Sequence, residues 1–307
     1  MIDFFNKIDK KIILGVMLVL IGTLFGTISQ VFLKISSTSI NPLHAVFWRS
    51  ISGFIIFFII IRMKYNTEKI DIKVITKNGN FKWFILRGLI CTLAAFALFT
   101  AIAGADISEI GSLANLNPIF TALIAYLILK EELSIKIILA IAFGILGVFL
   151  IRNPFVIGFS DAHFLVLVAA FLIGFDFVLI KKLSLLKFHY ILIIFVMLIT
   201  GFFFTLPIVI SEFSSYNTYY FILIFLAGTF DLITQIFYTN AAKYLTSGSI
   251  SIISLLSVFE FMLWGVLIFD ETVTLFNISG GLLIIISSGG IIYLRNKMAK
   301  SKQKVVD

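Results

Sequence analysis

Ten apolar runs, each long enough to cross a lipid bilayer as a helix, follow one another along this chain. They cover residues 12–33, 43–62, 83–103, 107–129, 134–151, 161–180, 190–210, 219–241, 246–269 and 273–294. About 20 helical residues, at about 1.5 Å each, span a hydrocarbon core of about 30 Å. Every backbone N–H and C=O inside lipid must be paired, which leaves helices and closed barrels as the spanning structures. Barrel strands would alternate apolar and polar over about ten residues, and these runs are continuous. The expected fold class is all-α integral membrane, with ten transmembrane helices. Only 13% of the residues are charged, against about 25% in a soluble domain. A soluble fold would leave much of its apolar surface bare.

The joints between runs are short and carry turn or charge signals, as at Asn41-Pro42, Gly104-Ala105-Asp106, Lys130-Glu131-Glu132 and Asp270-Glu271-Thr272. The long one, from Met63 to Lys82, is polar and basic and reads as a solvated connector. Lys7, Lys10 and Lys11 precede the first run in the manner of a signal peptide. That run is too long for a signal's apolar core and no small-x-small site follows it, so it is expected to be a retained helix.

Charge placement sets orientation. Of 24 Lys and Arg residues, Arg49 and Arg87 lie inside runs. With alternating loops, Lys34 and Arg152 fall on one side and the remaining twenty on the other. Basic residues stay in the cytoplasm, so both termini are expected there, with residues 1–11 and a basic tail, 296–307, flanking the membrane region. The same placement argues against nucleic acid, which needs a basic face interleaved with base-reading groups. Cys91 is the sole cysteine, and His44, His163 and His189 lie far apart, so no disulfide, metal site or cofactor is expected.

The second half of the chain echoes the first. Asn117-Pro118-Ile119-Phe120, followed by Leu129-Lys130-Glu131-Glu132-Leu133, is echoed by Leu256-Ser257-Val258-Phe259 and Phe269-Asp270-Glu271-Thr272, with Glu132 and Glu271 taken as matched anchors. Five runs lie in each half, 12–152 and 161–295. An odd number makes the second copy enter from the opposite face, giving an inverted-topology repeat of five plus five, the arrangement many carriers use for alternating access. Ser257 stands where the first half has Pro118, so a kink is expected in the first copy and in doubt in the second.

These residues resemble the EamA family of the drug/metabolite transporter superfamily. Asn117-Pro118-Ile119-Phe120-Thr121-Ala122-Leu123 with Leu129-Lys130-Glu131-Glu132 resembles the family's proline, apolar run and glutamate. Val46-Phe47-Trp48-Arg49-Ser50 and Leu86-Arg87-Gly88 resemble its second and third helices. The resemblance covers residues 12–295 and implies a secondary transporter of small organic solutes in a bacterial inner (plasma) membrane. Among its members the pattern is similar to S-adenosylmethionine-uptake and unassigned metabolite carriers. It implies a small-molecule solute, protons or a counter-solute, membrane lipid around the chain, and a monomer or homodimer.

Lipid penalises polar groups, so those inside runs need a reason. Steps of three and four align Thr23, Thr27 and Gln30 on the first run, and Ser108, Ser112, Asn115 and Tyr126 on the fourth. They likewise align Asp231, Gln235, Tyr238 and Thr239 on the eighth, and Ser247, Ser251, Ser254, Ser257, Glu260 and Trp264 on the ninth. The serines, with Gly22 and Gly26, read as helix–helix packing. A charge at mid-span costs about 2.5–3.5 kcal/mol on insertion scales, which singles out Asp231, Glu260 and Arg49. The candidate cavity residues are therefore Glu260, Asp231, Arg49, Asn115, Gln235, Tyr238, Trp264 and Gln30, with Arg49 paired to Glu260 as the structural alternative. The first, third, fourth, eighth and ninth runs are expected to line the cavity, with the fifth and tenth outside. Arg87 is expected to snorkel to the cytoplasmic interface and Asp176, one turn from Lys181, to do likewise, and Asp106, Glu109, Glu132, Asp270 and Glu271 are expected at helix ends as caps or anchors.

No Walker-type loop, zinc motif or nucleophile elbow occurs, so the expectation is no enzyme and no ATP drive. A cationic or zwitterionic solute, such as S-adenosylmethionine or an amino-acid-like compound, suits two acids and an arginine. Export by proton antiport is the alternative. A channel would need a filter or a ring of subunits.

Overall fold

The computed structural model describes residues 10–64, 80–130, 134–151, 160–211, 217–287 and 289–290. Among them every regular element is helical. The helices are α1 (Lys10–Ser36), α2 (Pro42–Lys64), α3 (Phe81–Gly104), α4 (Ile107–Ala114), α5 (Asn117–Leu129) and α6 (Ile135–Ile151). They continue as α7 (Asp161–Leu185), α8 (Tyr190–Ser211), α9 (Thr218–Ala241), α10 (Ser247–Ile253), α11 (Ser257–Phe269) and α12 (Leu275–Ser287). With α4–α5 and α10–α11 each counted as one, eight described helices are long and apolar enough to cross a membrane. The shorter apolar helices are α6, of 17 residues, and α12.

The fourth and ninth runs are both broken. A turn at Asn115 and Leu116 separates α4 from α5, where Pro118 sits in the first turn. A 3₁₀ segment, Ser254–Leu256, separates α10 from α11 without any proline. The break thus occurs in both copies, contrary to the doubt that Ser257 raised. Both α5 and α11 have 13 residues and end on a left-handed residue, Lys130 (φ 55°) and Asp270 (φ 51°). The expected match of Glu132 with Glu271 cannot be placed, because Glu131 and Glu132 lie outside the described residues.

Contacts between the halves come in matched kinds. The broadest are α1 on α9 and α3 on α7, and α2 also packs on α8 and α9, as α3 does on α8. Glycine makes two of these crossings close. A Cβ on Gly228 of α9 would lie 1.8 Å from Ser52 Oγ and 2.6 Å from the Arg49 carbonyl oxygen; one on Gly88 of α3 would lie 2.5 Å from Thr200 Cβ. Two lysines act as matched straps over helix C-termini, where carbonyls are unpaired. Lys34, at the end of α1, donates to the Ile102 carbonyl (2.9 Å) in the last turn of α3 and to the Ala105 carbonyl just beyond it. Lys181, near the end of α7, donates to those of Ala242 (3.0 Å) and Leu245 (2.9 Å) beyond α9. Glu271 caps α4 from the opposite half. Its carboxylate accepts from the Ile107 and Ser108 amides (2.6 and 3.0 Å) and the Ser108 hydroxyl (2.6 Å).

Candidate functional site

A central cavity of about 170 Å³ lies where these helices meet. Drug-sized ligands occupy pockets of about 300–1,000 Å³, so this conformation admits a smaller solute. Its wall comes from α1, α2, α3, α4, α7, α9 and α11, with the first residue of α5 and Ser254 at the two breaks. The five runs expected to line it do so; among the described residues α6 and α12 contribute nothing. The stripes did not reveal α7, which adds Ile173, Asp176 and Phe177.

Six of the eight candidates lie on the wall: Gln30, Arg49, Asn115, Asp231, Gln235 and Tyr238. Glu260 and Trp264 do not. They stand behind Thr27, whose hydroxyl donates to Glu260 Oε2 (2.9 Å) and accepts from Trp264 Nε1 (3.3 Å). The stripe reaches the wall through Ser254 and Ser257, but within α11 the wall-facing side runs from Ser257 to Phe261, and Glu260 lies about 100° round the helix from Phe261. The break before α5 turns away Tyr126, which is 50% exposed and far from the wall.

Arg49 is held by Asp231, not Glu260. Its guanidinium lies 3.2 Å from Asp231 Oδ1, with Cζ 5.3 Å from the centre of the Phe99 ring. The close crossing at Gly228, one turn before Asp231, brings α2 near enough for this pair. Asp231 is Arg49's sole polar partner among the described residues, although a guanidinium carries five N–H donors.

Arg87 corrects a second expectation. It does not snorkel; it is 0% exposed and donates to Asp176 Oδ1 (3.0 Å), the Ile193 carbonyl (3.1 Å) and Gln235 Oε1 (2.8 Å). Asp176 accordingly turns to Arg87, and Lys181 is taken by its strap. Arg87 therefore stands behind the wall and holds two of its residues. The two breaks also meet at the cavity. Asn115 Nδ2 donates to Ser257 Oγ (2.9 Å), and Ser257 Oγ donates back to Asn115 Oδ1 (3.1 Å). Of the expected end caps, Glu271 holds α4, whereas Glu109 meets His163 Nε2 at 3.1 Å. The described residues contain no group of three metal-ligating side chains.

A family model described as the EamA-like transporter family matches the chain twice, over residues 13–153 and 161–293. The chain belongs to the EamA-like transporter family. With eight described helices long and apolar enough to span a bilayer, it is an integral membrane protein. It is 30% identical to an uncharacterised transporter of Helicobacter pylori over 146 residues, about half of each chain (47%). It is 24% identical to the pseudopaline exporter CntI of Pseudomonas aeruginosa (strain UCBPP-PA14), over 89% of this chain and 94% of that one. A solved crystal structure shares the EamA-like chain's fold at TM-score 0.64 and 13% identity, covering 90% of this chain and 98% of the other.

Proposed function

We propose that the chain is a secondary carrier that moves a small zwitterionic or cationic organic metabolite by alternating access through the central cavity. The observation that carries this reading is the Arg49–Asp231 pair on the cavity wall, where Arg49 has donors to spare. A solute's carboxylate can take those donors and its ammonium can take Asp231, exchanging one ion pair for two. Gln30, Asn115, Gln235 and Tyr238 then orient the rest of the molecule. Gln30 Oε1 is buried without a hydrogen-bond partner, as an acceptor waiting for a donor would be.

Alternating access is read from the two halves. In this proposal α6 and α12 complete ten spans, arranged as an inverted repeat with both termini cytoplasmic. The two family matches, the matched breaks and the paired lysine straps support it. So does the lopsided distribution of basic residues. The test is uptake of labelled S-adenosylmethionine and neutral and cationic amino acids into proteoliposomes. Saturable uptake of at least one that carries both an ammonium and a carboxylate is expected, lost in Arg49→Gln. Uptake only of solutes without a carboxylate would overturn the assignment of Arg49.

A second reading, export in exchange for protons, is favoured by the likeness along most of its length to a protein named as an exporter. An outward solute flux driven by an inward proton gradient in the same vesicles would separate it from uptake.

A further inference from the structure

Two seams flank the cavity, and they are closed by different chemistry. α5 crosses α7, and α11 crosses α1. Counted from their shared breaks, Phe120 is the fourth residue of α5 and Glu260 the fourth of α11. On the partner helices, Gly174 lies seven residues before the strap Lys181, and Thr27 seven before the strap Lys34. The same position in the two copies is thus a phenyl ring over a glycine in one and a carboxylate on a hydroxyl in the other. Phe120 packs edge-on to Phe171 with ring centres 5.6 Å apart, and a Cβ on Gly174 would sit 3.0 Å from Phe120 Cβ. At the other seam Glu260 Oε2 accepts from Thr27. The α5–α7 seam demonstrates that the crossing closes without a charge, so architecture does not require Glu260.

Nor does Glu260 complete an ion pair. Among the described residues its partner is the Thr27 hydroxyl alone, and Oε1 accepts nothing. α1 presents Thr23 and Thr27 to this region, α11 presents Trp264, and α9 presents Tyr238, whose hydroxyl is 3.2 Å from Thr23 Oγ1. Among the described residues no basic side chain lies within 4 Å of Glu260, and on α4, which also packs against α11, Glu109 is engaged by His163. Asp231, the other acid near Tyr238, is committed to Arg49.

We propose that Glu260 is a proton-carrying site that reports to the cavity through Thr27. Its use in transport rests on the carrier reading above; proton binding itself does not. On loading, an O–H bond forms at the open Oε1 with a proton taken from water, and on release that bond breaks and the proton returns to water. The Thr27 hydroxyl has two acceptors in reach, Glu260 Oε2 (2.9 Å) and the Leu24 carbonyl (3.1 Å), and an ionised Glu260, the stronger of the two, holds its one proton. A protonated Glu260 is a weaker acceptor and frees the Thr27 hydroxyl to turn to a solute in the cavity. Trp264, hydrogen-bonded to the same hydroxyl, registers the change.

The experiment uses the full chain in lipid nanodiscs with no solute present. Infrared difference spectra between acid and neutral pH should show a protonated-carboxyl band that disappears in Glu260→Gln and persists in Asp231→Asn. In a Trp48→Phe, Trp83→Phe background, Trp264 fluorescence should follow the same pH transition. Thr27→Val should shift that transition by about one pH unit, the size of one hydrogen bond to a charged group, and this holds the test open if Glu260→Gln fails to fold. Three results would overturn the proposal: a band that survives in Glu260→Gln, a Trp264 signal flat with pH, or one that answers to sodium chloride and not to pH. Failure of every transport assay would leave these spectra unchanged, so the two readings fail separately.

Discussion

Among the described residues two arginine–aspartate pairs lie inside the helix bundle, and they are built to opposite ends. Arg87 is wholly enclosed, with three hydrogen-bonded partners on α7, α8 and α9. Arg49 lies on the cavity wall with Asp231 alone. A buried charge is tolerated when its donors are satisfied by protein. Arg87 meets that condition and locks three helices together. Arg49 does not, and under the proposed function its unmet donors face the space that a solute would enter. Satisfaction of donors, more than burial or mid-membrane depth, is the criterion by which the proposal assigns Arg87 to the fold and Arg49 to the solute.

The largest effect should come from breaking the enclosed pair. Arg87→Leu leaves Asp176 buried without its cation and strands the Ile193 carbonyl and Gln235. One-sided loss of a buried pair costs about 3–5 kcal/mol, so little folded protein should survive detergent extraction, as read by size-exclusion chromatography. A normal elution profile would make Arg87 no more structural than Arg49.

Gly228→Val should come next, because α2 must move away for the new side chain to fit. The Arg49–Asp231 distance then grows, and transport should fall at least tenfold while the Arg87 cluster, on other crossings, keeps the fold. Thermal stability measured beside transport separates these; unfolding without a specific transport defect would refute the positioning role. Asn115→Ala should have the smallest effect. It removes the two reciprocal hydrogen bonds with Ser257, about 1 kcal/mol each, and should raise KM a few-fold with little change in melting. Water-soluble thiol reagents extend the comparison in a Cys91→Ala background. Asn115→Cys and Gln235→Cys should react, and Ile138→Cys and Ala142→Cys, on the exposed face of α6, should not.

Much of this was legible in the sequence. The apolar runs foretold an all-helical membrane protein, and polar residues at steps of three and four brought Gln30, Asn115, Asp231, Gln235 and Tyr238 to one cavity. Periodicity could not carry phase across the turn before α5, which misplaced Tyr126, nor tell which edge of the α11 stripe meets the cavity: Ser257 and Phe261 do, and Glu260 and Trp264 stand to the side. Arg87 was missed for another reason: near the start of a helix, a snorkelling arginine and a buried one look alike. Depth offered a signal. Arg87 is six residues from the start of α3 and Asp176 nine from the end of α7, about 9 and about 14 Å in at 1.5 Å per residue. Opposite charges at such similar depth, counted from the face where α3 begins and α7 ends, are candidates for each other. The lysine straps had no sequence signal, since a terminal lysine serves equally as a topology marker.

The central claim is that one arginine pair serves the solute and the other the fold. Neutralising both members of each pair tests it most directly, because neither variant leaves a lone buried charge. Arg49→Gln with Asp231→Asn, and Arg87→Gln with Asp176→Asn, should be compared in one set of proteoliposomes for melting temperature and for uptake of a transported zwitterion. The account predicts that the first variant melts close to the wild type and transports nothing, while the second yields little folded protein. Wild-type uptake by the first, or a wild-type melting temperature in the second, would contradict it.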